Sequence, residues 1–374
     1  MFFLVLSCIR ILKNIKKILL IIQRSNGDVF LSHPLVSLLN STFSDIKIDL
    51  LVNEDTVEVA KLIPNVNLIH TFSYQKKQNN RIKQEKNLIL SIFRKYDLSI
   101  NLTASDRSVM YAILAGKQSL SAVEKNHKKS WWKKKLLTYH YCFDSTNHIL
   151  LNNLEPLNIL NILFNKILPS VDLPESDSVK MVEKLSNLGI RKFLIFHPSA
   201  QYNYKIYPKH LRDKLFDLLS SLDVAIIVTG GSSIEDLKIK EEIPNLSNIY
   251  NFIGDTSLKD YLFLSQFSIA YIGMDTLNMH IAASQNKRIF AIFGPTNLKM
   301  WSPWSNQVQS SATQNMPIQN YGNVTIFQAD MPCVACAKAG CNDNHGKSDC
   351  LYKISPEFIF REIENWFLNS DEGL

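Results

Sequence analysis

Two loops in the sequence carry side chains that could move a proton and hold an anion. Arg24-Ser-Asn-Gly-Asp28 follows an apolar run and ends in a carboxylate. A carboxylate in this place suits either a general base or a helix N-cap, and the spacing fits both. His197-Pro-Ser-Ala-Gln-Tyr-Asn-Tyr-Lys205 follows another apolar run and brings Ser199 and Lys205 to a helix entrance. A cation beside free backbone N–H groups suits a diphosphate, although a solvated surface loop fits the same residues.

A third segment, Gly273-Met-Asp-Thr-Leu-Asn-Met-His-Ile-Ala-Ala283, gives the sharpest signal. A strand is expected to end at Gly273, Asp275 and Thr276 to cap a helix, and His280 to lie one turn inside it. A helix start with a hydroxyl is a good pyrophosphate cradle, whereas a plain N-cap and a core histidine are the alternative. Glu235 opens another predicted helix, where it suits either a ribose hydroxyl or an ordinary first-turn acid.

Four cysteines form a compact cluster near the carboxyl terminus: Cys333, Cys336, Cys341 and Cys350. In a cytoplasmic protein such spacing is more typical of structural zinc than of disulfides, and unliganded thiols are the third option. A closed four-thiolate site would have no open position for catalysis. We therefore expect no cofactor for catalysis, with zinc considered only as a structural metal.

The net charge is +7, and residues 117–135 contain seven lysines and one glutamate. This segment predicts either a solvated face or a site for an anionic partner such as a phosphorylated substrate or lipid headgroups. Nucleic acid is not expected, because no helix-turn-helix, RNP or finger spacing occurs. Adjacent tryptophans favour a membrane interface or sugar stacking. The candidate acceptor and membrane patch comprises Lys125, Lys128, Lys129, Trp131, Trp132, Lys133, Lys134 and Lys135.

Strand and helix patterns alternate along both halves of the chain, which predicts an α/β fold with parallel sheets covered on both faces. Strands are expected at 17–23, 46–52, 67–72, 97–102, 193–197, 224–229, 268–272 and 288–293. Helices are expected at 29–39, 55–62, 81–95, 208–220, 234–242, 258–266, 276–284 and 356–368. Two doubly wound, Rossmann-like domains would face a central cleft, where ligands bind at the carboxyl ends of the strands.

The predicted domains are an acceptor-binding domain at 1–170 and a nucleotide-sugar-binding domain at 171–355, which includes the cysteine cluster. Residues 356–374 form a closing helix that we expect to pack back on the first domain. The apolar stretch 1–6 is followed by Arg10 and Lys13 and lacks a small-residue cleavage site, so no signal peptide is expected. That stretch could instead lie on a membrane surface.

These segments, in their order along the chain, resemble those of glycosyltransferase family 9, the bacterial lipopolysaccharide heptosyltransferases with a GT-B fold. Residues 17–28, 197–205 and 273–283 carry the resemblance. Phe293-Gly-Pro-Thr296, Trp301-Ser-Pro-Trp304 and the cysteine cluster extend it, and it is greatest for the core heptosyltransferase III subgroup.

The resemblance implies inverting, metal-independent transfer of heptose from ADP-heptose to a hydroxyl of the phosphorylated lipopolysaccharide core. It would occur in the cytoplasm, at the inner-membrane surface. Asp28 matches the family's general base, and the donor-binding set comprises Ser199, Lys205, Glu235, Asp275, Thr276 and His280. Three alternatives remain open: another nucleotide-sugar transferase, a 2-epimerase on the same architecture, and a non-catalytic glycolipid-binding relative.

Overall fold

A computed structural model describes residues 15–74, 77–168 and 179–370. The chain divides into two compact units between Pro169 and Ser170. The apolar stretch 1–6, the polar joint at 169–178 and the final residues 371–374 lie outside the described residues. No described helix combines the length and the apolarity needed to cross a bilayer.

The first unit is a parallel sheet in the order β3-β2-β1-β4-β5-β6. Its strands are β1 (Lys17–Ile22), β2 (Lys47–Asn53), β3 (Val66–Phe72), β4 (Tyr96–Asn101), β5 (Gly116–Val123) and β6 (Tyr139–Cys142). Its helices are α1 (Asn26–Phe30), α2 (His33–Thr42), α3 (Val57–Ala60), α4 (Lys77–Ile92), α5 (Asp106–Ala115), α6 (His127–Leu136) and α7 (Ile149–Ile159). Every residue from Ile18 to Ile22 is buried, as expected of a central strand covered on both faces.

The second unit contains a sheet in the order β12-β13-β11-β10-β7-β8-β9, parallel except for the β12–β13 pair. Its strands are β7 (Phe193–His197), β8 (Ala225–Val228), β9 (Ile249–Asn251), β10 (Ala270–Met274), β11 (Arg288–Ile292), β12 (Ile318–Tyr321) and β13 (Val324–Phe327). Its helices are α8 (Val179–Asn187), α9 (Lys209–Leu219), α10 (Ile234–Glu241), α11 (Leu258–Phe267), α12 (Leu277–Ser284), α13 (Leu298–Trp301) and α14 (Pro356–Ser370).

Both sheets share one doubly wound pattern. The first strand of each lies at its middle, the next two strands extend to one side, and the chain then returns to extend the other side. This is the Rossmann-type order, so the predicted fold class is confirmed. At the middle of each sheet, β1 lies beside β4 and β7 lies beside β10, which are the switch points where such folds bind ligands.

Several elements differ from the sequence-based expectations. The helix expected at 29–39 is two helices, α1 and α2, because the chain breaks at Leu31 and Ser32. Strand β5 was not predicted, since its lysine and serines do not resemble a buried run, yet Ser121 is buried and accepts a hydrogen bond from Asn101 at 2.9 Å. The serine hydroxyls of β5 form hydrogen bonds within the fold, which makes their burial tolerable.

The closing helix α14 packs on α9, and Ile359, Ile363 and Phe367 lie in the apolar core of the second unit. The sequence-based expectation placed this helix against the first domain. Its buried apolar face belongs instead to the second unit.

One residue of the predicted basic patch is not on the surface. The Lys133 side chain is fully buried, and its Nζ lies 2.7 Å from Asp106 and 2.8 Å from Glu124. It also donates a hydrogen bond to the carbonyl oxygen of Ala104 at 2.6 Å. Trp132 is half-buried and packs against the small apolar cluster beneath α6. The patch assignment was therefore wrong for Lys133, whose charge joins α6 to the loops before α5 and after β5.

Replacing Lys133 by alanine should destabilise the first unit, because it leaves the Glu124 carboxylate and the Ala104 carbonyl without their cation. We expect a loss of about 2 kcal/mol in the free energy of unfolding, moderated because both carboxylates keep access to water. Urea denaturation measures it, with the exposed Lys128→Ala as a matched control that should change stability by less than about 0.5 kcal/mol. Equal effects of the two substitutions would contradict the buried role.

Candidate active site

The candidate residues lie in the loops that leave the switch points of the two sheets. In the first unit, the segment after β1 contains Arg24 and Ser25 in its loop and Asp28 in α1. In the second, the loop after β7 contains Lys205 and the loop after β10 contains Asp275. Parallel strands bring these loops to the carboxyl edge of their own sheet, the edge that binds ligands in this class of fold.

Asp28 is a buried carboxylate with both oxygens engaged. Arg24 Nε lies 2.6 Å from Oδ1, and the hydroxyl of Ser25 donates to Oδ2 at 2.6 Å. The Arg24 guanidinium also stacks over the ring of Phe143, 5.0 Å from its centroid. Asp28 lies inside α1, whose N-cap is Ser25, so it is not the N-cap that the spacing also allowed. Sequence reasoning assigned no role to Arg24, although it stands one helical turn before the carboxylate.

Two opposing influences set the protonation of Asp28. Burial raises the pKa of this carboxyl above its ordinary value, while the Arg24 charge and the Ser25 hydroxyl partly counteract the rise. A carboxylate with a raised pKa is a stronger base than a solvated one, and a neighbouring guanidinium favours its ionised form. The arrangement suits a general base.

Three side-chain amides beside this loop have unused hydrogen-bonding capacity. Among the described residues, Gln23 Nε2, Asn26 Oδ1 and Asn53 Oδ1 are buried without a hydrogen-bond partner. Gln23 directly follows β1 and Asn53 ends its neighbour β2, and Asn53 donates to the carbonyl of Arg24 at 3.3 Å. Buried amide groups left open beside a candidate base are suited to sugar hydroxyls, which both donate and accept. Sequence reasoning missed all three, because nothing in the pattern shows which amides lack partners.

In the second unit, Lys205 and Asp275 form an ion pair across the switch point, with Nζ 2.9 Å from Oδ2. Asp275 is almost fully buried and Lys205 about three-quarters buried. Burial alone would lower the pKa of Lys205, but the Asp275 carboxylate outweighs it and raises the pKa above its usual value. Lys205 is therefore a fixed positive charge, and an ammonium group has three protons to donate.

Thr276 and His280 flank this ion pair on α12. Thr276 is the N-cap of the helix, but its side chain makes no capping hydrogen bond. His280 is buried with Nδ1 unpartnered, and burial lowers its pKa to about 4, so its ring is neutral at pH 7. The helix start can therefore offer backbone N–H groups to an anion.

A second contact brings three segments together at the same edge. His197 Nδ1, at the end of β7, lies 3.0 Å from Thr229 Oγ1 and 3.1 Å from Asn278 Nδ2. Gly273 permits the close approach of β10 to β7, because a Cβ there would lie 2.4 Å from the carbonyl oxygen of His197. These contacts hold the loops after β7, β8 and β10 together.

Ser199 and Glu235 take different places near this edge. Ser199 is buried, and its hydroxyl bonds to Asp236, which also completes a capping box with Ser233 at the start of α10. Its side chain is thus committed to joining the β7 loop to α10. Glu235 is the second residue of α10 and is half-buried at the carboxyl end of β8, next to β7.

The predicted four-cysteine zinc site is not assembled. Cys333 and Cys336 are exposed, Cys341 is half-buried, and Cys350 lies in the apolar core. All four thiols are free, and burial raises the pKa of Cys350 to about 11. The described residues contain no group of three or more His, Cys, Asp or Glu side chains placed to hold a metal ion.

The rest of the basic patch lies on and beside α6. Lys128, Lys129, Trp131 and Lys135 are exposed and Lys134 is half-buried. Lys125 is exposed and paired with Asp144 at 2.9 Å. Without the buried Lys133, the patch consists of the remaining lysines on and beside α6 together with the exposed Trp131.

The family model for glycosyltransferase family 9 (heptosyltransferase) matches residues 88–328. The chain belongs to this family. It is 26% identical over 293 residues to lipopolysaccharide heptosyltransferase 3 of Escherichia coli K12, an alignment that covers 76% of this chain and 85% of that relative. The resemblance seen in the three loops is thereby confirmed, and the protein is a glycosyltransferase of the lipopolysaccharide heptosyltransferase family.

Solved structures of family members share the fold. The E. coli ADP-heptose lipopolysaccharide heptosyltransferase II is similar with a TM-score of 0.70 at 17% identity, covering 95% of this chain and 99% of that one. E. coli heptosyltransferase WaaC with ADP is similar with a TM-score of 0.69 at 14% identity, covering 93% and 99%. At these identities the likeness establishes the GT-B architecture.

Replacing Arg24 by glutamine should change the pH dependence of this glycosyltransferase. Without the guanidinium, burial raises the pKa of Asp28 further, so the carboxylate becomes protonated at a higher pH than in the wild type. We expect the acid limb of the kcat/KM profile to move to higher pH. Arg24→Lys keeps the charge, so its acid limb should stay close to that of the wild type. An unmoved acid limb in Arg24→Gln would show that Asp28 is not the titrating base.

Proposed function

We propose that this enzyme transfers heptose from ADP-heptose to a hydroxyl of the phosphorylated lipopolysaccharide inner core, with inversion at the anomeric carbon and without a metal ion. The observation that carries the proposal is the Lys205–Asp275 ion pair at the switch point of the second sheet. The first unit would be the acceptor-binding domain, and the second would bind the nucleotide-sugar.

The donor diphosphate would bind beside Lys205 and the start of α12. Asp275 holds Lys205 with one hydrogen bond, which leaves two ammonium protons for phosphate oxygens. The Thr276 hydroxyl and the backbone N–H groups of the first turn of α12 would receive the remaining charge. Because His280 is neutral, it does not repel the Lys205 cation, and its buried ring packs beneath the start of the helix. Glu235, in the first turn of α10, would accept hydrogen bonds from the ribose.

The same groups would stabilise the leaving ADP. As the bond from the anomeric carbon to the diphosphate breaks, negative charge grows on the phosphate oxygens. A fixed cation and oriented N–H dipoles stabilise such charge, the task that a divalent ion performs in metal-dependent transferases. Metal independence therefore follows from the charge that Lys205 and α12 would supply.

Asp28 would accept the proton of the attacking acceptor hydroxyl. One displacement from the face opposite the leaving group inverts the anomeric configuration. Sugar hydroxyls of the acceptor would satisfy the open amide groups of Gln23, Asn26 and Asn53. The exposed lysines of α6 would meet acceptor phosphates at the cytoplasmic face of the inner membrane.

Calorimetric titration with ADP-heptose, with UDP- and GDP-sugars as comparators, tests the donor site. We expect selective binding of the ADP-sugar, weakened about 10- to 100-fold by Lys205→Ala through loss of a charge-assisted hydrogen bond. Lys209→Ala is the matched control, because Lys209 is a nearby exposed lysine paired with Asp213, and it should leave the Kd unchanged. Preference for another nucleotide would overturn the proposed donor, and wild-type affinity in Lys205→Ala would overturn the proposed site.

Asp28→Asn should abolish most transfer but leave donor binding unchanged. The amide cannot accept the proton, so kcat should fall about 10²- to 10⁴-fold, as for loss of a general base. Donor affinity should stay within about twofold, since Asp28 belongs to the first unit and the donor groups to the second. The exposed Asp45→Asn serves as the control in steady-state kinetics. Near-normal turnover in Asp28→Asn would exclude Asp28 as the base.

A further inference from the structure

Helix α4 carries an apolar stripe that no part of the described protein covers. Ile82, Leu90 and Phe93 are 84%, 61% and 51% exposed. Spacings of eight and three residues place them within a quarter-turn on one face of the helix, with Lys86 between them. The sequence pattern suggested a polar helix here, because lysines and asparagines interrupt the apolar residues. We call Ile82, Lys86, Leu90 and Phe93 the α4 stripe.

The opposite face of α4 accounts for the ordinary packing of the helix. Leu88 and Ile92 lie in the apolar cluster of the first unit. Glu85, the one acid between positions 81 and 92, is held by Arg107 at 3.3 Å and by the hydroxyl of Tyr111. The inward face of α4 is thus buried in the core, and Glu85 is held by partners on α5. The α4 stripe has no such structural partner among the described residues.

The surroundings of the α4 stripe are basic. Arg81, Lys83, Lys86 and Lys95 are exposed on or directly after the helix. An exposed apolar ridge among cations is the pattern of a helix that lies in a membrane interface, where apolar side chains enter the acyl boundary and cations meet anionic headgroups.

The same face of the first unit continues beyond α4. The crossovers β3-α4-β4, β4-α5-β5 and β5-α6-β6 advance in one direction along the sheet, so right-handed connections place their helices on one face. Helix α4 packs on α5 and α5 on α6. This face also exposes Met110 of α5 and Trp131 of α6. Exposed apolar side chains therefore occur on three neighbouring helices of this face.

We propose that the α4 stripe docks the enzyme on an anionic phospholipid bilayer. Charge complementarity selects this occupant, since a second copy of the chain would bring one basic helix against another. The docking surface is separate from the proposed base and donor residues. Loss of docking should therefore leave donor binding and transfer to a short water-soluble acceptor intact.

Co-sedimentation of the full chain with vesicles tests the proposal. The vesicles contain phosphatidylcholine and phosphatidylglycerol in equal parts, with pure phosphatidylcholine for comparison. Leu90→Glu should lower the partition coefficient on the mixed vesicles about tenfold, by removing an inserted apolar side chain and adding a negative charge. Leu368→Glu is the matched control, because Leu368 is also an exposed helical leucine, 61% exposed like Leu90, in the second unit; it should bind as the wild type.

Ile82→Glu and Phe93→Glu should also lower the partition coefficient about tenfold, and they replace Leu90→Glu if that variant does not fold. Binding of the stripe variants equal to that of Leu368→Glu would overturn the proposal, as would equally strong wild-type binding to pure phosphatidylcholine. Light scattering provides the remaining outcome. A wild-type oligomer that dissociates in Leu90→Glu, without any loss of vesicle binding, would assign the stripe to contact between copies and reject the bilayer.

Discussion

The proposed donor site depends on one ion pair, Lys205 with Asp275. Asp275 is nearly buried, and a buried carboxylate is costly unless a cation partners it. The pair joins the loops that leave β7 and β10, and Gly273 allows those strands to approach closely. His197 and Asn278 add a second link between the same segments. A positive charge is thus fixed at this edge of the sheet, which is the preorganisation that the proposed diphosphate site requires.

The first unit also contains a buried ion pair, Arg24 with Asp28, in which the carboxylate rather than the cation is the group proposed to act. In the second unit a carboxylate holds the cation that we propose binds an anion, whereas in the first a cation holds the carboxylate that we propose acts as a base. Burial raises the pKa of Asp28, and the Arg24 charge partly counteracts the rise, so the carboxyl is more basic than a solvated one. Both ion pairs occupy switch points of sheets with one topology. The shared fold explains why two unlike tasks have similar local solutions.

The sequence predicted the parts of the molecule that local pattern determines. Strands β1, β7 and β10 are continuous apolar runs because helices cover both faces of a parallel sheet, and the loops after them carry the polar residues. Lys133 could not be placed, because its partners Asp106 and Glu124 are distant in sequence and only the crossovers bring them to α6. Strand β5 was missed because serines whose hydroxyls bond within the fold resemble loop residues. Which amides near Asp28 lack partners depends on tertiary contacts alone.

We propose that the apolar stripe of α4 and the basic face of α6 determine where the enzyme acts. The two ion pairs have proposed roles in its chemistry. The account's central claim is a single displacement driven by Asp28 and by protein charges on the leaving diphosphate. NMR of the product made from ADP-heptose in the presence of EDTA tests it most directly. The account predicts a new glycosidic bond of configuration opposite to that of the donor, formed at an undiminished rate. Retention of configuration, or loss of transfer with EDTA, would contradict it.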